Sequence, residues 1–236
     1  MKSLQYSPTM GRAKSQYEIS KTFRQATADD GFTPTAASGT IAVLSERGGG
    51  ISLLTQAADN AIAHMTSDAK PCLIAQDKPA YFAATMQYAE AATNAANVLI
   101  GLHSGSVGSA LGNDGAGPPA SYSGFSFFKV DGSTLWSVEA SLAGAQVTQE
   151  LTAAASLDGV AHTAGSSSYQ FLEILVSPKT STTADIVFSI DDVAVYKILD
   201  WTYTSIAAMA AVGVVKAGST TAETLKLRRF DFAQVI

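Results

Sequence analysis

Four glutamates, Glu139, Glu150, Glu173 and Glu223, stand in or beside segments of alternating apolar pattern, where a carboxyl group could act as general acid or nucleophile. Retaining glycoside hydrolysis needs two carboxyls about 5–5.5 Å apart, which on one strand means a second carboxylate two residues along the same face. None of the four has one. His64, His103 and His162 lie far apart, with no i, i+2 or i+4 spacing, so no local metal-ligand set arises. Ser104 and Ser106 flank His103 without a G-x-S-x-G elbow and read as polar loop residues. Asn113-Asp114-Gly115 and Asp191-Asp192 offer oxygens to calcium, but neither forms an EF-hand loop, and turn chemistry is the simpler reading. Cys72, the single cysteine, excludes an intramolecular disulfide and a cysteine zinc site, and its apolar neighbours mark it as buried. Trp136 and Trp201 could form a sugar-stacking platform, although tryptophans of this kind more often sit in a core. The chain reads as non-enzymatic, with no metal and no cofactor.

The elements that would position these residues are strands. Of 236 residues 47% are hydrophobic and 15% charged, which argues against disorder. Short β-branched segments at 40–44 and 51–55 flank Gly48-Gly49-Gly50. From Tyr81, the residues Phe82, Ala84, Met86 and Tyr88 alternate with smaller or polar ones, as a half-buried strand requires. Further strands are expected at 98–103, 125–130, 135–139, 171–176, 185–190, 193–198, 207–215 and 224–232, with a hairpin at Asp131-Gly132. Residues 56–80 read as turns joining short segments. Ten or more short strands without a long amphipathic helix predict an all-β fold, an antiparallel two-sheet jelly-roll sandwich over 36–236, with an extended N-terminal arm over 1–35. The loop 104–121, rich in glycine and longer than compact domains usually tolerate, is the leading surface candidate for a contact.

Charge is uneven. Residues 1–24 carry a net +4 and the remainder −9. A basic arm on an acidic body suggests docking on a protein partner, with Lys2, Arg12, Lys14, Lys21 and Arg24 as cations and Tyr6, Tyr17, Ile19 and Phe23 as apolar anchors. Nucleic acid is disfavoured, because the acidic body would repel phosphates. The N-terminus has no signal-peptide core. The longest nearly apolar run, 206–215, is half of what a membrane helix needs, so a soluble protein made in a cytoplasm is expected.

The run 112–122 (GNDGAGPPASY), the segment Phe127-Phe128-Lys129-Val130-Asp131-Gly132 with Trp136, and the closing stretch 213–218 (GVVKAG) with 222–225 (AETL) resemble a group of tailed-phage virion proteins. These have a concanavalin-like jelly roll and act as capsid cement or decoration proteins. The similarity spans about residues 48–236 and carries nothing over to the arm. It implies a bacteriophage structural protein on the virion, made in the host cytoplasm. Such a protein binds the outer capsid surface with the major capsid protein as partner, stabilises the shell and assembles as a homotrimer. On that reading the arm residues Lys2, Tyr6, Arg12, Lys14, Tyr17, Lys21, Phe23 and Arg24 bind the capsid, and Asn113, Asp114, Pro118, Pro119 and Tyr122 form a surface-contact loop; no nucleic acid or membrane is involved. The alternative is a carbohydrate-binding tail or adhesin component, with loop 104–121 and Trp136 as its site.

Overall fold

A computed structural model describes residues 16–28, 31–37, 39–90, 95–204 and 206–235. The chain runs through β1 (Gln16–Thr22), β2 (Phe32–Ala36), β3 (Thr40–Val43), β4 (Ile51–Leu54), β5 (Ile62–Ser67), β6 (Ala80–Ala89), β7 (Ala96–His103) and β8 (Ser123–Lys129). It continues through β9 (Ser137–Leu142), β10 (Ala145–Glu150), β11 (Gln170–Pro178), β12 (Thr183–Ile190), β13 (Val193–Thr202), β14 (Ala210–Ala217) and β15 (Thr224–Val235). Among the described residues the sole helical element is a single 3-10 turn, Val107–Ser109.

The strands form two antiparallel sheets. The back sheet has the order β13-β12-β11-β6-β15-β4-β3, and β1 pairs with β15 beyond the end of β4. The front sheet has the order β10-β9-β8-β7-β14-β5-β2. This is the two-sheet jelly roll that the alternating strands predict.

Period-two alternation decides which side chains enter the core. Phe82, Ala84, Met86 and Tyr88 of β6 face Val98, Ile100 and Leu102 of β7 and Phe125 and Phe127 of β8 across the sandwich. Each such large side chain, fully buried, contributes roughly 1.5–3 kcal/mol relative to exposure. Gly213 makes room on this inner face: a Cβ there would lie 2.8 Å from Leu227 Cδ1 and 3.1 Å from Phe230 Cζ.

The structure corrects the expected arm. From Gln16 the chain belongs to the back sheet, with β1 in register against β15 from Gln16↔Val235 to Thr22↔Arg229. Phe23 is buried and packs edge-on against Phe32 at 5.6 Å and Phe230 at 5.2 Å. β2, also within the expected arm, pairs with β5. Residues 1–15 lie outside the described residues. Two further strands, β5 and β10, occupy stretches to which the sequence pattern assigns no element.

Candidate functional site: the loop over the front sheet and the cleft beside it

Loop 104–122 does not project from the sandwich but folds back over the outer face of the front sheet. Its Ala110 and Leu111 pack on Leu99, Phe128, Ala210, Val212 and Val214, a second hydrophobic cluster separate from the core. Lys216 of β14 points out from the same face and donates from Nζ to the carbonyls of Leu111 (3.2 Å) and Gly112 (3.0 Å) and to Asn113 Oδ1. Burial pushes the Lys216 amine down, while Asp114 and Asp59 oppose that shift. The loop tip closes through Gly112 N–H to Gly117 O at 2.7 Å. Asn60 and Asp114 exchange two hydrogen bonds, of 3.2 and 3.3 Å.

Three of the segments quoted above, 112–122, 127–132 and 213–218, meet at Asp131. A Cβ on Gly115 would come within 3.0 Å of the Asp131 carbonyl oxygen. One on Gly218 would lie 3.0 Å from Asp131 Cβ and 2.4 Å from the Ala95 carbonyl. The Asp131 N–H donates to Asn97 Oδ1 at 2.9 Å. The glycines and Asp131 therefore serve close approach of backbones.

At the other end of the loop, Tyr122 donates its hydroxyl to Glu139 Oε1 at 2.6 Å. Glu139 also accepts from Gln146 Nε2 at 3.0 Å and from Thr148 Oγ1 at 2.5 Å. The His103 ring stacks on Tyr122 with centroids 4.3 Å apart. His103 Nδ1 accepts from Gly105 N–H, which leaves the proton of the neutral ring on Nε2, and that nitrogen has no hydrogen-bond partner among the described residues. Burial raises the Glu139 carboxyl and lowers His103 to about 4. Glu139, Tyr122 and His103 are each at most 3% exposed. An acid, a phenol and an imidazole thus stand together without access for a substrate, and the group acts as a joint.

An open cleft of about 420 Å³ lies where β6 and β8 end, lined chiefly by Glu90, Lys129, Thr134, Thr163, Ser166 and Ser167. Alternation places Lys129 on the inner face after Phe125 and Phe127, at the end of the core. It forms an ion pair with Glu90, donates to the Ala96 carbonyl at 2.8 Å and lies 5.8 Å from the Tyr88 ring centroid. The floor of the cleft is therefore a paired lysine and carboxylate, and the walls offer hydroxyls. Among the described residues no group of three His, Cys, Asp or Glu could hold a metal ion.

The residues singled out in the sequence scatter. Asn113 and Asp114 are exposed, and Pro118 and Pro119 are half-buried. Tyr122 is buried, which corrects its expected place in a surface contact; its ring and hydroxyl fasten the loop to the sheet. Tyr17 and Arg24 are exposed, whereas Lys21 is buried and Phe23 lies in the core, so Phe23 cannot anchor a partner. Lys2, Tyr6, Arg12 and Lys14 fall outside the described residues.

Trp136 is fully buried and donates to Gln170 Oε1 at 3.2 Å; Trp201 is buried against Phe125 at 5.2 Å. The sugar-stacking platform is thereby excluded. Asp191 and Asp192 hold positive φ, and Asp191 Oδ1 accepts the Phe171 N–H at 2.8 Å, as a turn requires. The sequence reading missed the Glu139 joint and the Glu90–Lys129 cleft. Their signal was a charged residue at an inward or covered strand position, as at Lys129.

No protein-family model matches the chain, and no curated protein matches it. Solved structures do. The carbohydrate recognition domain of Emp47p superposes with TM-score 0.59 at 11% identity, covering 93% of this chain and 96% of that one. An endo-1,3-beta-glucanase from Streptomyces sioyaensis gives TM-score 0.62 at 9% identity, covering 98% and 99%. Peanut lectin gives 0.56 at 13%, covering 94% and 98%. At these identities the similarity shows the fold, a concanavalin-like, lectin-type jelly roll.

Proposed function

We propose that this chain is a non-enzymatic structural protein of a tailed-phage virion, which binds the outer capsid surface as a cement or decoration protein. The observation that carries the reading is the convergence at Asp131. Gly115, Asp131 and Gly218, which lie in the segments resembling that group, approach closely, and Asn97 adds a hydrogen bond to the Asp131 N–H beneath the loop that crosses the front sheet. They make a shape rather than a reaction. The filled front face supports a role in which the folded surface itself is the functional part. The basic residues Lys2, Arg12 and Lys14 precede β1 without any acidic residue among the first fifteen, and they are the proposed contact with the major capsid protein. A cement protein that binds the assembled shell and not free subunits adds its binding free energy to that of the lattice. Co-sedimentation of the purified chain with shells lacking it tests this reading: many copies per shell support it, and no bound copies refute it.

The Glu90–Lys129 cleft favours one second reading, a carbohydrate-binding component of the virion. The fold neighbours include lectin and carbohydrate recognition domains. A glycan array separates the readings, with Ser167→Arg as the blocking variant. Glycan binding lost in that variant supports the second reading, and a blank array with intact protein ends it.

A further inference from the structure

Among the described residues five strand edges have no neighbour: β10 and β2 on the front sheet, and β13, β3 and β1 on the back sheet. Open edges invite pairing with another chain, and proteins blunt them with proline, charge, brevity or irregularity. β2 carries Pro34, which has no N–H to donate, and β3 has only four residues. β13 has two register irregularities against β12 and bears Lys197 and Asp200. β1 bears Glu18 and Lys21. β10 is the least protected: its six residues run in unbroken register with β9, it has no proline, and its one charge is the terminal Glu150. Its first four residues are exposed.

We propose that β10 is the contact strand of a two-fold homodimer, in which two copies pair antiparallel along this edge and join their front sheets into one. The hairpin turn fixes which groups face outward. Ala143 and Gly144, both at positive φ, form a two-residue turn, so Leu142 and Ala145 make the first hydrogen-bonded pair of the β9–β10 ladder. Alternation then directs the backbone N–H and C=O of Gln146 and Thr148 away from β9. A two-fold axis at Val147 sets Gln146 of one copy against Thr148 of the other, where each pair exchanges two backbone hydrogen bonds. Val147, which is 39% exposed, meets its own counterpart in the closer, non-hydrogen-bonded position. Glu150 falls opposite Gly144 of the second copy, so no like charges oppose each other.

The surroundings of β10 suit the same contact. The sheet orders put β10 and β13 on one side of the sandwich, and the intervening segment spans them with Leu157 N–H bonded to Val195 O at 2.9 Å. Leu157, Val160, Val193 and Leu199 are exposed on this side, between 47% and 65%. The contact is isologous and closes as a dimer, unlike the homotrimer expected above. It holds whichever reading of function stands.

Val147→Cys tests the axis directly, because the native Cys72 is fully buried. Non-hydrogen-bonded antiparallel partners lie at a Cα separation a disulfide can bridge. Mild oxidation is expected to give a covalent dimer with Val147→Cys and none with Gln149→Cys, whose counterpart lies opposite Ala145. Sedimentation equilibrium of the full chain is expected to show a dimer that becomes monomeric in Val147→Lys, with an unchanged far-UV spectrum. A monomer at every concentration, or an oligomer that survives Val147→Lys without Val147→Cys cross-linking, would overturn the proposal.

Discussion

Tyr122 gives its hydroxyl hydrogen to Glu139 across 2.6 Å, and neither side chain is more than 3% exposed. The bond ties the end of loop 104–122 to β9, and the loop's own apolar residues then cover the front sheet. Tyr122→Phe leaves the carboxyl with one donor fewer in a site that water does not reach. A loss of about 1–3 kcal/mol in unfolding free energy is expected from urea melts. No change in the midpoint would mean that the joint carries no stability.

His103 makes the fold sensitive to mild acid. Its folded-state value lies near 4, below the ordinary 6.5, because burial disfavours the imidazolium. The unfolded chain therefore binds the proton more readily. Stability is fully present above about pH 6.5 and falls as the pH drops toward 4, by up to about 3 kcal/mol. Glu139 acts in the opposite sense, since its raised value makes the folded state take up a proton as the pH falls. His64, whose value burial also lowers, acts in the same sense, so His103→Phe is expected to lose only the part of the acid dependence that His103 carries, as read from melting temperature against pH.

Lys216 is the second fastening of the loop. Lys216→Met keeps the stem and removes the donor to the Leu111 and Gly112 carbonyls, which are then left unpaired under the loop. Limited proteolysis is expected to cut within 112–120 several-fold faster than in wild type, with a stability loss of about 1–3 kcal/mol. Equal cleavage rates would show that the apolar contacts of Leu111 suffice.

Much of the fold was legible in the sequence, and particular residues show why the rest was not. β6, β8, β12 and β15 alternate large apolar with small or polar residues, so period two reveals them. β1 hides because Lys21 falls in the row of Tyr17, Ile19 and Phe23, and the stretch then reads as a charged arm although Phe23 reaches the core. β10 hides because an edge strand buries little and needs few apolar residues. The length and glycine content of loop 104–122 were plain, but its course was not. Val107, Ala110 and Leu111 carry the apolar contact with the front sheet, and three such residues scattered among glycines give no periodic signal. The buried Trp136 and Trp201 follow the commoner behaviour of tryptophan in a core.

The first strand, β1, begins at Gln16. Deleting residues 1–15 leaves β1 and Phe23 in place and is expected to weaken shell attachment. Deleting 1–24 also removes β1 and Phe23, and is expected to lower stability by an amount like that of Phe23→Ala, about 3–5 kcal/mol. Full attachment of the shorter truncation would move the capsid contact elsewhere on the sandwich.

The most direct measurement of the proposed role is the rupture temperature of purified phage shells with and without the bound chain, at a known number of copies per shell. A rise in rupture temperature that grows with occupancy is the predicted result. An unchanged rupture temperature at full occupancy would contradict the cement role.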